Sequence, residues 1–270
     1  MQAPFFVRHA LRVYAGHPNP RTSPPMKQPK PLAVAITLAL WCTLGWAEPG
    51  YYLVSVYEDE GKVHLDSRYW TVKRPGAAEV VWPEIGIGYG VTKRWYTELY
   101  LSYEGPSFSN STLGTVNWQN DFRLTQGEFD VDVALHTNLV HGQASADENA
   151  LEFGPVLQTD VGRVQLNGNL IFEKSLTPGN TTAPQLKYQW QAKYRWNQTL
   201  HTGIQGFGEL GTWNNWSEAG RQSHRWGPVV SGTWDVNQKQ RVEYQAAYLT
   251  GSVYGGSAAD MLSLRLQFVF

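Results

Sequence analysis

Apolar and polar residues alternate along most of the chain from residue 61 to its last residue. The segment "LKYQWQAKYRW" (186–196) has an apolar residue at every second position, with lysine, glutamine and arginine between them. The final segment, "LSLRLQFVF" (262–270), repeats the alternation up to a terminal phenylalanine. Because successive side chains of a strand point to opposite faces, this period predicts strands with one apolar and one polar face.

About twelve strands are predicted, and each is long enough, at roughly 9 to 11 residues, to cross a bilayer at a tilt. Strand counts of ten or fourteen stay open. The predicted strands lie near 61–73, 79–91, 94–104, 115–125, 128–139, 150–160, 163–173, 185–196, 199–211, 224–235, 239–250 and 259–270. Residues 51–60 either extend the first strand or form a periplasmic plug.

The connections alternate in length after the second strand. Tight connections are predicted at 92–94, 126–127, 161–162, 197–198 and 237–239, and longer polar ones at 105–114, 140–149, 174–184, 212–224 and 251–259. Outward apolar residues, an even strand number, short periplasmic turns and longer extracellular loops are typical of bacterial outer-membrane barrels. We therefore predict an all-β fold, a transmembrane antiparallel up-and-down β-barrel. A soluble sandwich is the alternative, but it has no reason to sort its connections by length.

Aromatic residues cluster at both ends of the predicted strands, as in the interfacial girdles of membrane barrels. Those near the turns are Tyr89, Trp95, Phe122, Phe129, Tyr194, Trp196, Trp234 and Phe270. Those near the loops are Tyr103, Phe153, Phe172, Tyr188, Trp226 and Tyr248. The two groups predict the levels at which the barrel meets the lipid headgroups.

The last strand is predicted to close the barrel by pairing with the first, which removes the exposed sheet edge. Its apolar face would meet lipid, while Ser263, Arg265 and Gln267 would look inward. The stretch also resembles the C-terminal recognition strand of outer-membrane proteins, through Leu264, Leu266, Phe268 and Phe270. That resemblance implies that these four residues form an assembly signal for the barrel-assembly machinery.

A secretory signal peptide is predicted at residues 26–47, where two lysines precede an apolar run and small residues precede Glu48. Residues 1–25 are interpreted as an over-extended start or a leader, and residues 48–270 as the barrel. The single cysteine, Cys42, lies in the signal segment. The predicted location is the Gram-negative outer membrane, reached through a cleaved signal peptide.

Composition excludes several other classes. Hydrophobic residues make up 42% of the chain and the mean hydropathy is −0.38, which does not fit a helical membrane protein. The formal net charge of −1 gives no basic field for nucleic acid, so no nucleic-acid partner is predicted. The predicted partners are outer-membrane lipid and lipopolysaccharide, and a small solute. No cofactor and no metal site are predicted, because no spacing of His, Cys or carboxylates suggests one.

Charged residues on the predicted inner face are the candidate functional residues. They are Glu84, Glu98, Asp130, Asp132, Lys187, Lys193, Arg195, Glu209, Arg241, Glu243 and Arg265. Two hypotheses follow from them. The charges could face one another across a water-filled pore and orient polar solutes, or they could pair and plug the cylinder. Twelve strands lie between the eight that side chains fill and the 16 to 18 of open porins, so size leaves both open.

No catalytic residue is predicted. A lipid-hydrolysing barrel would need an activated serine, and no His-x-Ser occurs in the sequence. Ser223 and His224 are adjacent and would point to opposite faces of a strand. Gly86, Gly88 and Gly90 lie at period two inside a strand, so they are predicted to make room for Trp82, Tyr96 or a neighbouring backbone. A lipid-modifying enzyme is the least favoured alternative.

The phrases "PEIGIGYGVTKRWYTELYLSYE" (83–104), "LEFGPVLQ" (151–158) and "NLIFEK" (169–174) resemble a known family of outer-membrane β-barrels. These are the porin-like or transporter-like proteins grouped with the MetA pathway of phenol degradation. The resemblance implies a barrel that passes small solutes, aromatic or hydrophobic ones among them. It implies no catalytic residue.

Overall fold

The computed structural model of the chain describes residues 52–56, 59–143, 149–253 and 256–270. The predicted leader, the predicted signal segment and Cys42 lie outside these ranges, so their assignment stays a prediction. Among the described residues, no helix is long and apolar enough to cross a membrane.

Thirteen β-strands form within the described ranges, and twelve of them match the predicted strands. Their bounds are β1 Val63–Val72, β2 Val80–Thr92, β3 Trp95–Glu104, β4 Thr112–Arg123, β5 Asp132–Gly142, β6 Ala150–Val161, β7 Val164–Ser175, β8 Gln185–Asn197, β9 Leu200–Thr212, β10 Asn215–Trp216, β11 Ser223–Asp235, β12 Arg241–Val253 and β13 Ser257–Val269. Two short 3-10 helices, Phe108–Asn110 and Ala219–Arg221, lie in the connections.

The sheet closes into an antiparallel barrel. Each strand pairs with its neighbour in the chain, and β1 pairs with β13 from His64 opposite Val269 to Trp70 opposite Ser263. The extra strand β10 only extends the end of β9, so β9 pairs directly with β11 around the wall. The prediction of a closed antiparallel β-barrel is confirmed, with twelve wall strands among the described residues.

The predicted alternation of short and long connections is wrong at two places. Strand β5 begins at Asp132, so the connection after β4 runs from 124 to 131 rather than 126 to 127. At the other end, β12 and β13 stay paired as far as Val253 opposite Ser257, which leaves only 254–256 between them. The polar stretch 251–259 pairs as a hairpin because alternation continues through Ser252 and Ala258.

The outer face of the barrel is apolar, as the alternation predicts. The side chains of Ile85, Ile87 and Leu99 are exposed on neighbouring strands, with fractions of 60%, 55% and 49%. The eight aromatic residues predicted near the turns are also exposed. Rings pack across adjacent strands at both ends, with centroids 6.0 Å apart for Trp95 and Phe122 and 5.6 Å apart for Phe153 and Phe172. Such a surface is stable only against lipid or another apolar partner.

Glycines in β2 give space to larger groups inside the barrel. A Cβ atom on Gly88 would lie 2.0 Å from the hydroxyl oxygen of Tyr96, and one on Gly90 would lie 1.8 Å from the carbonyl oxygen of Asp59. Both outcomes that the sequence predicted, a bulky inward side chain and a close backbone, therefore occur. These two glycines are therefore required by packing.

The C-terminus completes the closure of the barrel. Val63 donates its N–H to the carbonyl of Phe270 at 2.9 Å, and Phe270 donates its N–H to the carbonyl of Val63 at 3.0 Å. The ring of Phe270 is 40% exposed and lies 5.5 Å from the ring of Phe268, centroid to centroid. The side chain therefore adds no contact inside the barrel, while the backbone secures the seam.

We expect Phe270→Ala to slow membrane assembly without unfolding the finished barrel, because the backbone bonds to Val63 remain. Pulse labelling in cells, followed by the appearance of a heat-modifiable folded band on gels, measures the rate. Phe129→Ala is the matched control, since that ring is 68% exposed in the connection between β4 and β5. An unchanged assembly rate for Phe270→Ala would remove the terminal ring from the predicted assembly signal formed by Leu264, Leu266, Phe268 and Phe270.

Candidate functional site in the barrel interior

Polar side chains fill most of the inner face of the barrel. Among the eleven predicted charged residues, Glu84, Glu98, Asp132 and Lys187 are buried. Six others are half-buried on the inward side of their strands: Lys193, Arg195, Glu209, Arg241, Glu243 and Arg265. Ten of the eleven candidates therefore lie buried or half-buried on the inward side, and their role as lumen-lining charges stays a prediction.

Asp130 is the exception, and its predicted inward position is wrong. It is exposed in the connection before β5, because the strand begins two residues later than predicted. Asp132 instead holds that connection in place: its Oδ1 accepts the Gly127 N–H at 2.6 Å and the Thr125 hydroxyl at 3.2 Å. The two aspartates therefore do not lie together on the inner face.

A network of buried charges crosses the middle of the interior. Arg68 donates to Asp66 Oδ2 at 2.8 Å through Nε and to Glu98 Oε2 at 2.6 Å through Nη2. Its Nη1 lies 3.7 Å from Glu84 Oε2. Arg265 also donates to Asp66, with Nη2 2.7 Å from the same Oδ2 and Nε 3.2 Å from Oδ1. Two guanidinium groups thus face three carboxylates, away from bulk water.

Two tyrosine rings enclose the Arg68 guanidinium. Its carbon Cζ lies 3.9 Å from the centroid of the Tyr52 ring and 4.7 Å from that of Tyr100. Arg265 lies 5.6 Å from the same Tyr52 ring. A cation stacked on aromatic faces is stabilised by the ring quadrupole, more strongly when water is excluded. Tyr52 is therefore anchored to the charge network at the middle of the barrel.

Tyr52 belongs to a segment that precedes β1 and lies inside the barrel. We call residues 52–56 the strap. Tyr52, Val54 and Val56 are buried against Ala134 and Val156 of the wall. Of the two alternatives for residues 51–60, the described residues of the strap support a plug rather than an extension of β1.

Side chains of the wall, not a strand ladder, hold the strap backbone. Asn169 donates to the Val54 carbonyl at 3.1 Å, Arg123 Nε donates to the Val56 carbonyl at 3.0 Å, and Gln189 accepts the Val54 N–H at 3.4 Å. The Tyr52 hydroxyl makes two long contacts, 3.4 Å to Tyr100 and 3.3 Å to Gln119. A few bonds of this kind cost far less to break than a paired strand.

Two kinds of side chain fill the loop-side half of the interior: ion pairs on one side and an apolar cluster on the other. On one side, Lys187 forms a buried ion pair with Glu173 and lies 3.8 Å from Glu152, while Arg225 donates to Glu209 at 2.7 Å. On the other side, an apolar cluster fills the space between β9, β11, β12, β13 and β1. Its members are Trp70, Val72, Phe207, Val229, Ala247, Leu249, Val253, Ala259 and Met261, with Trp82 packed against them.

Two cavities lie on opposite sides of the central network. The turn-side cavity has a volume of about 160 Å³, and Leu53 and Ser55 of the strap form part of its wall together with Arg265. The loop-side cavity is smaller, about 40 Å³, and is lined by Glu84, Tyr100 and other residues. Arg68 contacts Glu84 and Tyr100, which line the loop-side cavity, and Arg265 of the same network lines the turn-side cavity. One layer of side chains therefore separates the two cavities.

Several polar atoms in the cavity walls have no hydrogen-bond partner among the residues that the structure describes. Those at the loop-side cavity are Glu84 Oε2, Asn138 Oδ1 and Glu152 Oε1, and those at the turn-side cavity are Asn167 Oδ1 and Gln267 Nε2. A buried polar group without a partner costs roughly 1 to 3 kcal/mol, so such groups normally bind water. Both cavities are therefore suited to water or a polar solute.

The interior combines features of both hypotheses for the inward charges. Arg68, Arg265, Arg225 and Lys187 each pair with a carboxylate, so the hypothesis of pairing describes the central and loop-side layers. The turn-side cavity keeps space for solvent instead. The barrel is thus neither an open ring of charges nor a completely packed cylinder.

The residues considered for catalysis do not form a site. Ser223 is buried and donates to the Ser252 carbonyl at 2.7 Å, whereas His224 is exposed on the opposite face. His224 contacts the Tyr188 hydroxyl at 2.8 Å and Gln222 at 3.0 Å. Within the described ranges, no group of three or more His, Cys, Asp or Glu is arranged to hold a metal ion.

The sequence analysis did not predict two parts of the interior, the Asp66–Arg68 pair in β1 and the strap. The sequence carries a signal for the first of them. In β1, His64, Asp66, Arg68 and Trp70 alternate with Leu65, Ser67 and Tyr69, so Asp66 and Arg68 share the inward face. The strap has no such signal, because five residues before a strand give no periodicity to interpret.

Comparison with known proteins supports the class of fold. The chain superposes on the NanC porin with a TM-score of 0.54 at 11% sequence identity, over 76% of this chain and 98% of that one. The KdgM porin gives a TM-score of 0.53 at 7% identity, over 77% of this chain and 99% of that one. An outer membrane channel from Pseudomonas putida F1 gives 0.48 at 14% identity, over 83% and 100%.

No protein-family profile matches the sequence, and no curated protein matches it. At such low identities the likeness shows the fold alone, which is that of an outer-membrane β-barrel porin. The resemblance to barrels grouped with the MetA pathway stays a prediction.

Proposed function

We propose that the protein is a narrow outer-membrane channel for passive entry of small polar solutes, closed in this conformation by the strap. The observation that carries the proposal is the pair of cavities with unpartnered polar walls on either side of the Tyr52–Arg68 layer. A structural cylinder has no need of such walls, since apolar side chains would fill the space at lower cost.

The nature of the barrier supports a gate rather than a permanent plug. The strap contributes Tyr52 to the layer, and side-chain bonds from three wall residues, Asn169, Arg123 and Gln189, hold its backbone in place of a strand ladder. Its withdrawal toward the turn side would enlarge the 160 Å³ cavity and open it toward the loop-side cavity. The wall itself would keep every strand pairing.

The proposed location is the outer membrane of a Gram-negative cell, with residues 26–47 removed as the signal peptide. Lipid and lipopolysaccharide would surround the apolar exterior, and the barrel-assembly machinery would insert it. The turn-side cavity, the larger of the two, offers little to an aromatic solute, because polar side chains form most of its lining. We therefore favour polar solutes over the aromatic or hydrophobic ones that the family resemblance implies.

Liposome swelling tests the proposal. Vesicles with the purified protein should swell in isotonic solutions of small polar solutes, at rates that fall steeply as solute size increases. Protein-free vesicles and vesicles with heat-denatured protein are the controls. Absence of swelling both for the whole protein and for a variant without residues 52–56 would contradict a channel and favour a structural barrel.

A further inference from the structure

Lys193 differs from the other cations inside the barrel. Arg68, Lys187, Arg225, Arg241 and Arg265 each form an ion pair with at least one carboxylate. Within the part of the chain that the structure describes, the ammonium group of Lys193 has neither an ion pair nor a hydrogen bond. A half-buried cation without a partner is an uncommon and costly arrangement.

The strand register explains why no partner stands beside Lys193. Its neighbours across β7 and β9 are Gln165 and Gly203. Gln165 has an amide and Gly203 has no side chain, so neither residue provides a carboxylate for Lys193. The next inward cation along β8, Arg195, reaches Asp160 at 2.9 Å instead.

Lys193 lines the turn-side cavity, where the two arginines of the lining are each paired with a carboxylate. Arg265 is paired with Asp66, and the cavity's one described carboxylate, Glu243, accepts from Arg241 Nε at 2.6 Å. Arg241 also pairs with Asp59. Lys193 is therefore the one lysine or arginine lining this cavity that forms no ion pair with a described residue.

Amides dominate the rest of the lining. Gln158, Gln165, Asn167, Gln191 and Gln267 surround the space, and each amide can both donate and accept a hydrogen bond. Such a wall suits a solute rich in hydroxyl groups, whereas an apolar ring would leave Asn167 Oδ1 and Gln267 Nε2 without a hydrogen bond.

We propose that the turn-side cavity is a binding site for a small hydroxylated carboxylate, with Lys193 as the residue that binds its negative charge. This inference rests on the proposed channel for its role in the cell, and it names the class of solute. Leu53 and Ser55 of the strap border the same space, so the occupied site lies directly against the gate.

Isothermal titration calorimetry with the whole protein, purified from membranes in detergent at low salt, tests the site. The probe is gluconate, and sorbitol is the neutral probe with the same carbon skeleton. Gluconate should bind and sorbitol should bind far more weakly. Lys193→Gln should weaken gluconate binding about tenfold or more, since a charge-assisted bond is lost, while Lys193→Arg should retain most of it.

Lys239→Gln is the matched control, because it makes the same change of charge in an exposed connection on the same side of the barrel. Its gluconate affinity should equal that of the unaltered protein. Absence of gluconate binding, equal binding of sorbitol, or full binding by a folded Lys193→Gln variant would overturn the site. A protein that binds gluconate but gives no liposome swelling would keep the site and overturn the channel.

Discussion

Deletion of the strap, residues 52–56, is expected to raise the rate of solute entry into liposomes severalfold. The deletion removes Tyr52 from the layer between the two cavities and also removes Leu53 and Ser55 from the wall of the larger one. No strand pairing is lost, because the strap lies outside every ladder of the wall. The barrel should therefore stay folded while its narrowest layer becomes wider.

Two substitutions of Tyr52 separate the ring from the hydroxyl group. Tyr52→Ala removes the face that covers Arg68 and should raise swelling to an intermediate rate. Tyr52→Phe keeps that face and loses only contacts of 3.4 and 3.3 Å, so its rate should stay near that of the unaltered protein. Equal rates for the strap deletion and the unaltered protein would show that the strap does not limit passage.

Arg68→Ala is expected to destabilise the barrel by about 3 to 5 kcal/mol, the usual cost of removing one partner from a buried ion pair. The substitution leaves Asp66, Glu84 and Glu98 facing one another with only Arg265 to compensate them, and also removes the cation between Tyr52 and Tyr100. Reversible urea unfolding in lipid vesicles, followed by tryptophan fluorescence, measures the change.

Arg94→Ala is the matched control for that measurement. Arg94 pairs with Glu128 at 3.0 Å, but both side chains are about half exposed, so its loss should cost no more than about 1 kcal/mol. Adding Glu98→Gln to Arg68→Ala should recover part of the stability, because one unpaired charge is removed. If Arg68→Ala and Arg94→Ala unfold at the same urea concentration, the central network contributes nothing particular to stability.

The wall of the barrel was predictable because its signal is repeated along the chain. Each strand carries the period of two, and burial on one face fixes its register, since a slip by one residue would turn every apolar side chain inward. The period of two therefore indicates the inward side for ten of the eleven candidate charges, and it gives no information on their role. The inward position predicted for Asp130 was wrong because Gly127 and the polar residues around it form a longer connection than the pattern suggests. The ends of strands have no periodic signal, so the sequence does not show where β5 begins.

The contents of the barrel were much less predictable. Which inward charges meet depends on the stagger between distant strands, so the bond from Arg68 in β1 to Glu98 in β3 cannot be obtained from alternation. The apolar cluster at the loop side was missed because the inner face was assumed to be polar throughout. In β12 the inward set changes from Glu243 and Gln245 to Ala247 and Leu249, which is a visible change of character in the sequence.

The position of the strap inside the barrel is the feature that the sequence predicts least. Tyr52, Val54 and Val56 have no partners near them in the chain, and they contact Arg68, Gln189 and Val156 only after the barrel closes. Such contacts follow from the enclosed volume, not from local propensity. The feature on which the proposed function depends most is therefore visible only in three dimensions.

Single-channel recording in a planar bilayer tests the central claim most directly. The chain from residue 48 to residue 270 should give small conductance steps, and the same chain without residues 52–56 should give larger and steadier ones. Conductance from both, with the larger value after strap removal, is the result that a strap-gated channel predicts. A folded barrel that stays electrically silent in both forms would contradict it.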